Sequence, residues 1–227
     1  MFSTFAGGMT DMYRPMYPGQ FTLGADPFRF RNQQEERIGK ELKKTAGLSD
    51  GGIAVLWNYD ASIDANKKMS DWESYKFVLT YRYRTSNTDE YNEDVLKAAI
   101  YYGAMVYPET NVPTTYEYFI RHKFGGYLIY DIDANGKMKD KPGSDTLDSN
   151  KQEIFTLWRD YIDFRCHKED HVDLLMELKT IRRTDQMRHF DLLVAGGMAL
   201  KGAKSPYSGI ISRVEEHDYD YNDFIWT

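Results

Sequence analysis

Residues 21–27 read Phe-Thr-Leu-Gly-Ala-Asp-Pro, and no other stretch constrains the fold as much. A short apolar run bounded by breakers suits a buried strand. This one delivers a carboxylate, Asp26, to its end and then stops. Pro27 has no N–H to give a sheet and biases the residue before it toward extended backbone. Two further places bring an acid to the edge of an apolar run. Residues 105–109 (Met-Val-Tyr-Pro-Glu) read as a second short strand closing on Glu109. Residues 190–201 read as an apolar helix that Asp191 opens.

The chain around these points alternates in type. Residues 1–20 carry Gly, Pro and Met without a period and read as a linker or arm. Residues 33–45 suit a short helix or an ordered loop. Strands are expected at 52–57 and 75–83, separated by a polar turn region at 58–73. A helix follows at about 88–103, with Tyr91, Val95, Ala98, Ala99 and Tyr102 at helical spacing. Ser86 and Asp89 give it a capping-box-like start, and Gly103 a stop. After the Glu109 strand, residues 114–123 read as a helix and 127–130 as a fifth strand. Asp131, Asp133 and Asn135-Gly136 resemble the start of an EF-hand loop, but Pro142 stands where that loop needs a bidentate Glu. A hairpin turn on Asn135-Gly136 is the better reading. Residues 137–146 read as a polar loop and 149–164 as a helix. Residues 172–181 are amphipathic, with helix and strand both open.

Three early strands can form an antiparallel meander, and the later strands alternate with helices as in parallel βαβ units. The expected fold is therefore α/β, a mixed five-stranded sheet whose first three strands are antiparallel, flanked by helices. Pairing the first strand with the one after the long helix sets the ends carrying Asp26 and Glu109 side by side, about 5 Å apart. The domain plan is an arm at 1–20, one domain at 21–203 and an acidic aromatic tail at 204–227.

Composition enters through charge. The net charge of −6 at first disfavours a nucleic-acid partner. Much of it lies from Glu215 onward, where Glu215, Glu216, Asp218, Asp220 and Asp223 occur with no Lys or Arg. Basic clusters elsewhere include Arg29/Arg31, Lys40/Lys43/Lys44 and Arg182/Arg183/Arg188. No apolar run nears the roughly 20 residues of a membrane span, and the first residues lack the basic-then-apolar order of a signal peptide. The single cysteine, Cys166, allows no internal disulfide and fits a reducing cytoplasm. Cys166, His167 and His171 lack the spacing of a zinc site and read as a solvated segment.

The order of elements, with Leu-Gly-Ala-Asp-Pro on strand one, an acid closing the strand after the long helix, and a late Phe-Asp-Leu-Leu-Val-Ala-Gly-Gly-Met-Ala-Leu helix, resembles the nuclease domain of tailed-phage large terminases. The closest stretch is 89–109. The resemblance covers about residues 21–201, through short motifs whose specificity lies in their order and spacing. It implies an RNase H-like fold shared with RuvC-type resolvases. It assigns Asp26 as the first-strand aspartate that bridges two metals, Glu109 as the acid ending the fourth strand, and Asp191 as the aspartate on the late helix. Some members have two adjacent aspartates at the last position, whereas Phe190 precedes Asp191 here. Asp185 and Asp50 are candidates for a fourth carboxylate. No Gly-x-x-x-x-Gly-Lys-Ser/Thr run occurs, so the chain shows no P-loop. By resemblance its partners are double-stranded DNA, a terminase ATPase domain, a portal protein and a small terminase subunit. Its place is the cytoplasm of an infected bacterial host.

The chemistry fits those residue types. Phosphodiester hydrolysis builds negative charge on the attacking, phosphoryl and leaving oxygens, and two Mg²⁺ or Mn²⁺ ions offset it. Such hard cations take carboxylate oxygens. Arg29, Arg31 and Arg37, just beyond Asp26, are candidates for sequence-independent phosphate contacts. The expected function is a metal-dependent endonuclease acting on concatemeric DNA during packaging, weakly active in isolation. The rivals are a RuvC-like junction resolvase and a non-catalytic module that binds DNA or a portal.

Overall fold

The computed structural model describes residues 13–28, 50–133 and 135–205. The expected helix at 33–45, the basic clusters at Arg29/Arg31/Arg37 and Lys40/Lys43/Lys44, the start of the arm and nearly all of the tail lie outside them. The fold is α/β. Strands β1 (Phe21–Asp26), β2 (Gly51–Trp57), β3 (Lys76–Tyr83) and β4 (Met105–Pro108) form one mixed sheet in the order β3-β2-β1-β4. β1 pairs antiparallel with β2, and β2 with β3, as the meander reading required. β1 pairs parallel with β4. Across the first three strands Asp26 stands opposite Gly52, and Gly52 opposite Arg82.

The expected five-stranded sheet is corrected to four strands. Where the fifth was placed, a 3₁₀ turn at Gly125–Tyr127 consumes the first residue, and only Leu128 bridges to Val106. From Tyr130 the chain turns to a partner of its own. β5 (Tyr130–Ile132) and β6 (Met138–Pro142) make a separate antiparallel hairpin. The Asp133 carboxylate accepts the N–H groups of Asn135 and Lys137, and Gly136 takes a φ of 76°. The hairpin turn on Asn135-Gly136 is thus present, and part of the expected loop at 137–146 is strand.

Six helices surround the strands among the described residues: α1 (Ala61–Asp64), α2 (Thr88–Tyr102), α3 (Thr114–Arg121), α4 (Asp148–Arg165), α5 (Val172–Thr180) and α6 (Asp191–Ala203). α5 settles the ambiguous stretch as helix. α2 is capped one residue later than Ser86 predicts: the Asn87 side chain accepts from the Glu90 N–H, while the Glu90 carboxylate accepts from Ser86. Gly103 ends α2 in the left-handed conformation. Residues 13–20 of the expected arm are docked, with the Tyr13 N–H donating to the Lys123 carbonyl at 2.7 Å and its ring 5.0 Å from Phe124.

Side chains alternate across a strand, and the two faces of the sheet build two cores. Leu23, Ala25, Ile53, Val55 and Val106 face α2 and α3. Ala54, Leu56, Phe77, Met105 and Tyr107 face α4 and α6. α6 is buried along nearly its whole length, as a helix apolar all round must be. It lies directly on the sheet, where a Cβ on Gly24 would overlap the Ala195 carbonyl oxygen and one on Gly52 the Asp191 carbonyl oxygen. α4 closes it from outside. Trp158 packs on Gly196, and its indole N–H donates to the Leu193 carbonyl at 2.9 Å.

Candidate functional site

Strand parity places the acids. Asp26 has the parity of Thr22 and Gly24, and Glu109 that of Met105 and Tyr107, so both belong to the face that α6 covers. The ladder makes them neighbours, because the Glu109 N–H donates to the Ala25 carbonyl at 2.8 Å just past the end of the β1–β4 pairing. α6 begins over Gly52, so Asp191 enters beside the same strand ends. The structure therefore brings together all three acids singled out in the sequence.

Each of the flanking carboxylates is oriented by named donors. Glu109, buried, accepts from the Thr146 hydroxyl at 3.0 Å and from the Val112 N–H at 3.4 Å. Asn111 in turn donates to the Thr146 oxygen at 2.6 Å. Asp191, also buried, accepts the Asp50 N–H at 3.1 Å. The residue before it, Phe190, occupies the N-cap position and makes no side-chain capping bond.

The electrostatics follow from this crowding. Asp26 is held well above the usual carboxylate range, first by burial and then by the negative charges of Asp191, Glu109 and Glu177. Glu177, on α5, is the fourth carboxylate of the cluster and was missed in the sequence. Its pKa is pushed up to about 7, mainly by burial, with the Leu193 N–H and Arg82 pulling against it and Asp191 adding to it. Of the fourth carboxylates considered, Asp185 pairs with Arg183 on the surface, and Asp50 serves through its backbone N–H. The signal for Glu177 was its helical spacing, three residues after Leu174 and four before Ile181, both of which are buried with it. That signal exists only once 172–181 is taken as helix.

The donor set of the cluster is all oxygen and all acidic, which suits hard divalent cations. The carboxylates lie within reach of one another's charge, while among the described residues no group of three or more His, Cys, Asp or Glu side chains is arranged to hold a metal ion. The candidate zinc residues do not converge. The His171 ring bonds Glu169 at 2.5 Å, the His167 ring meets the Ser70 carbonyl at 3.1 Å, and Cys166 is exposed. A cleft of about 340 Å³ lined by Tyr17, Trp57, Asn58 and Tyr59 lies at the opposite end of β1 and β2, away from the acids. No helix among the described residues is long and apolar enough to cross a membrane. Compared with family models, curated proteins and solved structures, the chain matches none.

Proposed function

We propose that this chain is a divalent-metal-dependent endodeoxyribonuclease of RNase H-like fold, the nuclease domain of a tailed-phage large terminase. Its substrate would be concatemeric double-stranded DNA in the host cytoplasm, and its partners the terminase ATPase domain, the portal protein and the small terminase subunit. The observation that carries this reading is the meeting of Asp26, Glu109 and Asp191 on one face and at one end of the sheet, close enough for the two flanking charges to raise the Asp26 pKa. The parallel pairing of β1 with β4 and the helices on both sheet faces agree with it.

Asp26, Glu109 and Asp191, not arranged around an ion as they stand, would have to close together to hold two Mg²⁺ or Mn²⁺ ions, which when bound would stabilise charge on the attacking and leaving oxygens of the phosphodiester. The chain's own part is to anchor the three acids at one end of the sheet. Asp26 projects from a central strand bonded on both sides. Glu109 is fixed by Thr146 and the Val112 N–H, and Asp191 by the Asp50 N–H. No serine, cysteine or histidine nucleophile is called on. The phosphate contacts expected of Arg29, Arg31 and Arg37 belong to this reading and lie outside the described residues.

The test is cleavage of supercoiled plasmid with Mn²⁺, Mg²⁺ or EDTA, using the wild-type chain beside Asp26→Asn and Asp191→Asn. Slow nicking and linearisation that need metal and vanish in both variants are expected. Activity surviving both substitutions would remove these residues from the chemistry. Preference for four-way junctions over linear duplex would move the assignment to a resolvase. A folded protein inert under every metal, alone and with an ATPase domain supplied, would move it to a binding module.

A further inference from the structure

The first turn of an α-helix leaves N–H groups without partners inside the helix. In α6 the Val194 N–H reaches back to the Phe190 carbonyl at 3.0 Å, so the donors before it need partners from elsewhere. Phe190, at the N-cap position, supplies no side-chain acceptor. The Leu193 N–H instead donates to Glu177 Oε2 at 2.8 Å, across from α5. Glu177 Oε1 receives Arg82 Nη1 at 2.6 Å. Arg82 lies on β3, in one cross-sheet row with Gly52 and Asp26. Because Gly52 has no side chain, the start of α6 sits over the middle of that row. Asp26 flanks it on one side and the Arg82–Glu177 pair on the other.

We propose that Arg82 and Glu177 are positioning residues: together they form a helix cap supplied from outside α6, and this cap sets where the Asp191 carboxylate stands relative to Asp26. The assignment rests on the metal-site reading above. A negative group at a helix N-terminus is favourable in itself. Here the group is borrowed from α5, and its own orientation is fixed from β3. The two residues need not touch substrate or metal; they act through the Leu193 N–H.

The test uses the full chain with Mn²⁺ as the probe, comparing wild type, Arg82→Gln, Arg82→Lys and Glu177→Gln. Two quantities are read: the Mn²⁺ dissociation constant by calorimetry, and hydrogen exchange at the Leu193 amide. Circular dichroism checks that each variant is folded. Positioning predicts that Arg82→Gln and Glu177→Gln speed Leu193 exchange and weaken Mn²⁺ binding about tenfold, as loss of an outer-shell partner does. Arg82→Lys, which keeps a cation for Glu177, should restore most of both.

Arg82→Gln discriminates. Charge alone predicts that removing a cation beside a carboxylate cluster leaves Mn²⁺ affinity unchanged or tightens it. Mn²⁺ binding by Arg82→Gln at or above wild-type affinity would therefore overturn the proposal, whatever Leu193 does. If Glu177→Gln does not fold, the two Arg82 variants decide alone. Failure of the wild-type chain to bind Mn²⁺, with Leu193 exchange still responding to the variants, would remove the metal reading and leave the cap standing.

Discussion

Glu177→Gln tests the electrostatics of the site without any metal. Glu177 is 5 % exposed, and its pKa rises from an ordinary 4.5 to about 7. A carboxyl whose folded pKa is raised binds its proton more tightly in the native state. Its contribution is then fully present below about pH 4.5 and is lost as pH rises to about 7. A tenfold change in proton affinity is worth about 1.4 kcal/mol, so the loss across that window is about 3 kcal/mol. Glutamine does not titrate, and the variant lacks this slope. The absolute cost of the substitution includes a hydrogen bond to Leu193 or Arg82, but the pH dependence of the difference does not require knowing it. The assay is urea unfolding in EDTA at pH 4, 5, 6, 7 and 8, followed by tryptophan fluorescence, for both proteins. Wild type should lose about 3 kcal/mol relative to Glu177→Gln between the ends of the series, or roughly 10 °C in Tm for a domain of this size. A difference that stays flat would refute the reasoning. So would one of opposite sign, which would mean that the ion pair with Arg82 outweighs burial and that Glu177 is ionised throughout.

Three further substitutions, the first with Gly136→Ala as its control, address the frame and charge of the molecule. Gly24→Ala places a methyl into the Ala195 carbonyl and the Ala199 N–H, where only backbone can yield; the expected loss is about 3 kcal/mol in urea unfolding, against about 1 kcal/mol for Gly136→Ala, whose surroundings are open and whose only strain is a positive φ. Asp26→Asn removes the acid whose native pKa is raised, so in EDTA at pH 8 it should melt above wild type, while the stabilisation that Mn²⁺ gives wild type should vanish; a lower Tm would mean that burial and like charge do not govern Asp26. Arg165→Met tests a buried guanidinium that donates to the carbonyls of Met69, Trp72, Ser74 and Tyr75. Leaving those acceptors without it should cost about 3–5 kcal/mol, and a loss under about 1 kcal/mol would show that the 69–75 segment readjusts around the methionine.

What the sequence made legible was the set of places where an apolar run meets an acid. Asp26, Glu109 and Asp191 each stand at such a junction, and a buried strand or helix leaves its terminal residue at the edge of the core whatever the packing. Glu177 sits inside its element. Its burial depends on which face of α5 turns inward, and 172–181 is too short for its apolar pattern to fix even the element type alone. The fifth strand failed for a related reason. Residues 127–130 have strand character, but Gly125–Tyr127 forms a 3₁₀ turn and Tyr130 pairs with Pro142, a competition that composition does not rank. The cap of α2 slipped by one because Ser86, Asn87, Asp89 and Glu90 offer two overlapping capping patterns. Only backbone geometry at Asn87 chooses between them.

The position of the helix that carries Asp191 is a consequence of core packing, which leaves the setting of its first turn to the cap. α6 has no polar face, so it must be enclosed on all sides, and the sheet can accept it only where side chains are missing. Gly24 and Gly52 provide that gap on adjacent strands, two residues apart along the β1–β2 ladder. Gly196 and Gly197 provide the matching gap toward Trp158 and Ile154 on α4. With one side of the helix fixed by close backbone approach to the sheet and the other by the Trp158 and Ile154 side chains, its rotation and its axial position have little latitude. Its first residue is then carried to the end of β1 where Asp26 waits. The same glycines that let the core close therefore bring two like charges to one end of the sheet, and the burial of α6 offsets the cost of holding them together. A substitution on α4 that touches no acid, such as Trp158→Phe, removes the indole N–H bond to the Leu193 carbonyl and loosens the turn on which Asp191 stands. It should therefore lower Mn²⁺ affinity as well as stability. An effect on stability alone would show that Asp191 is placed by its local contacts and not by the helix as a whole.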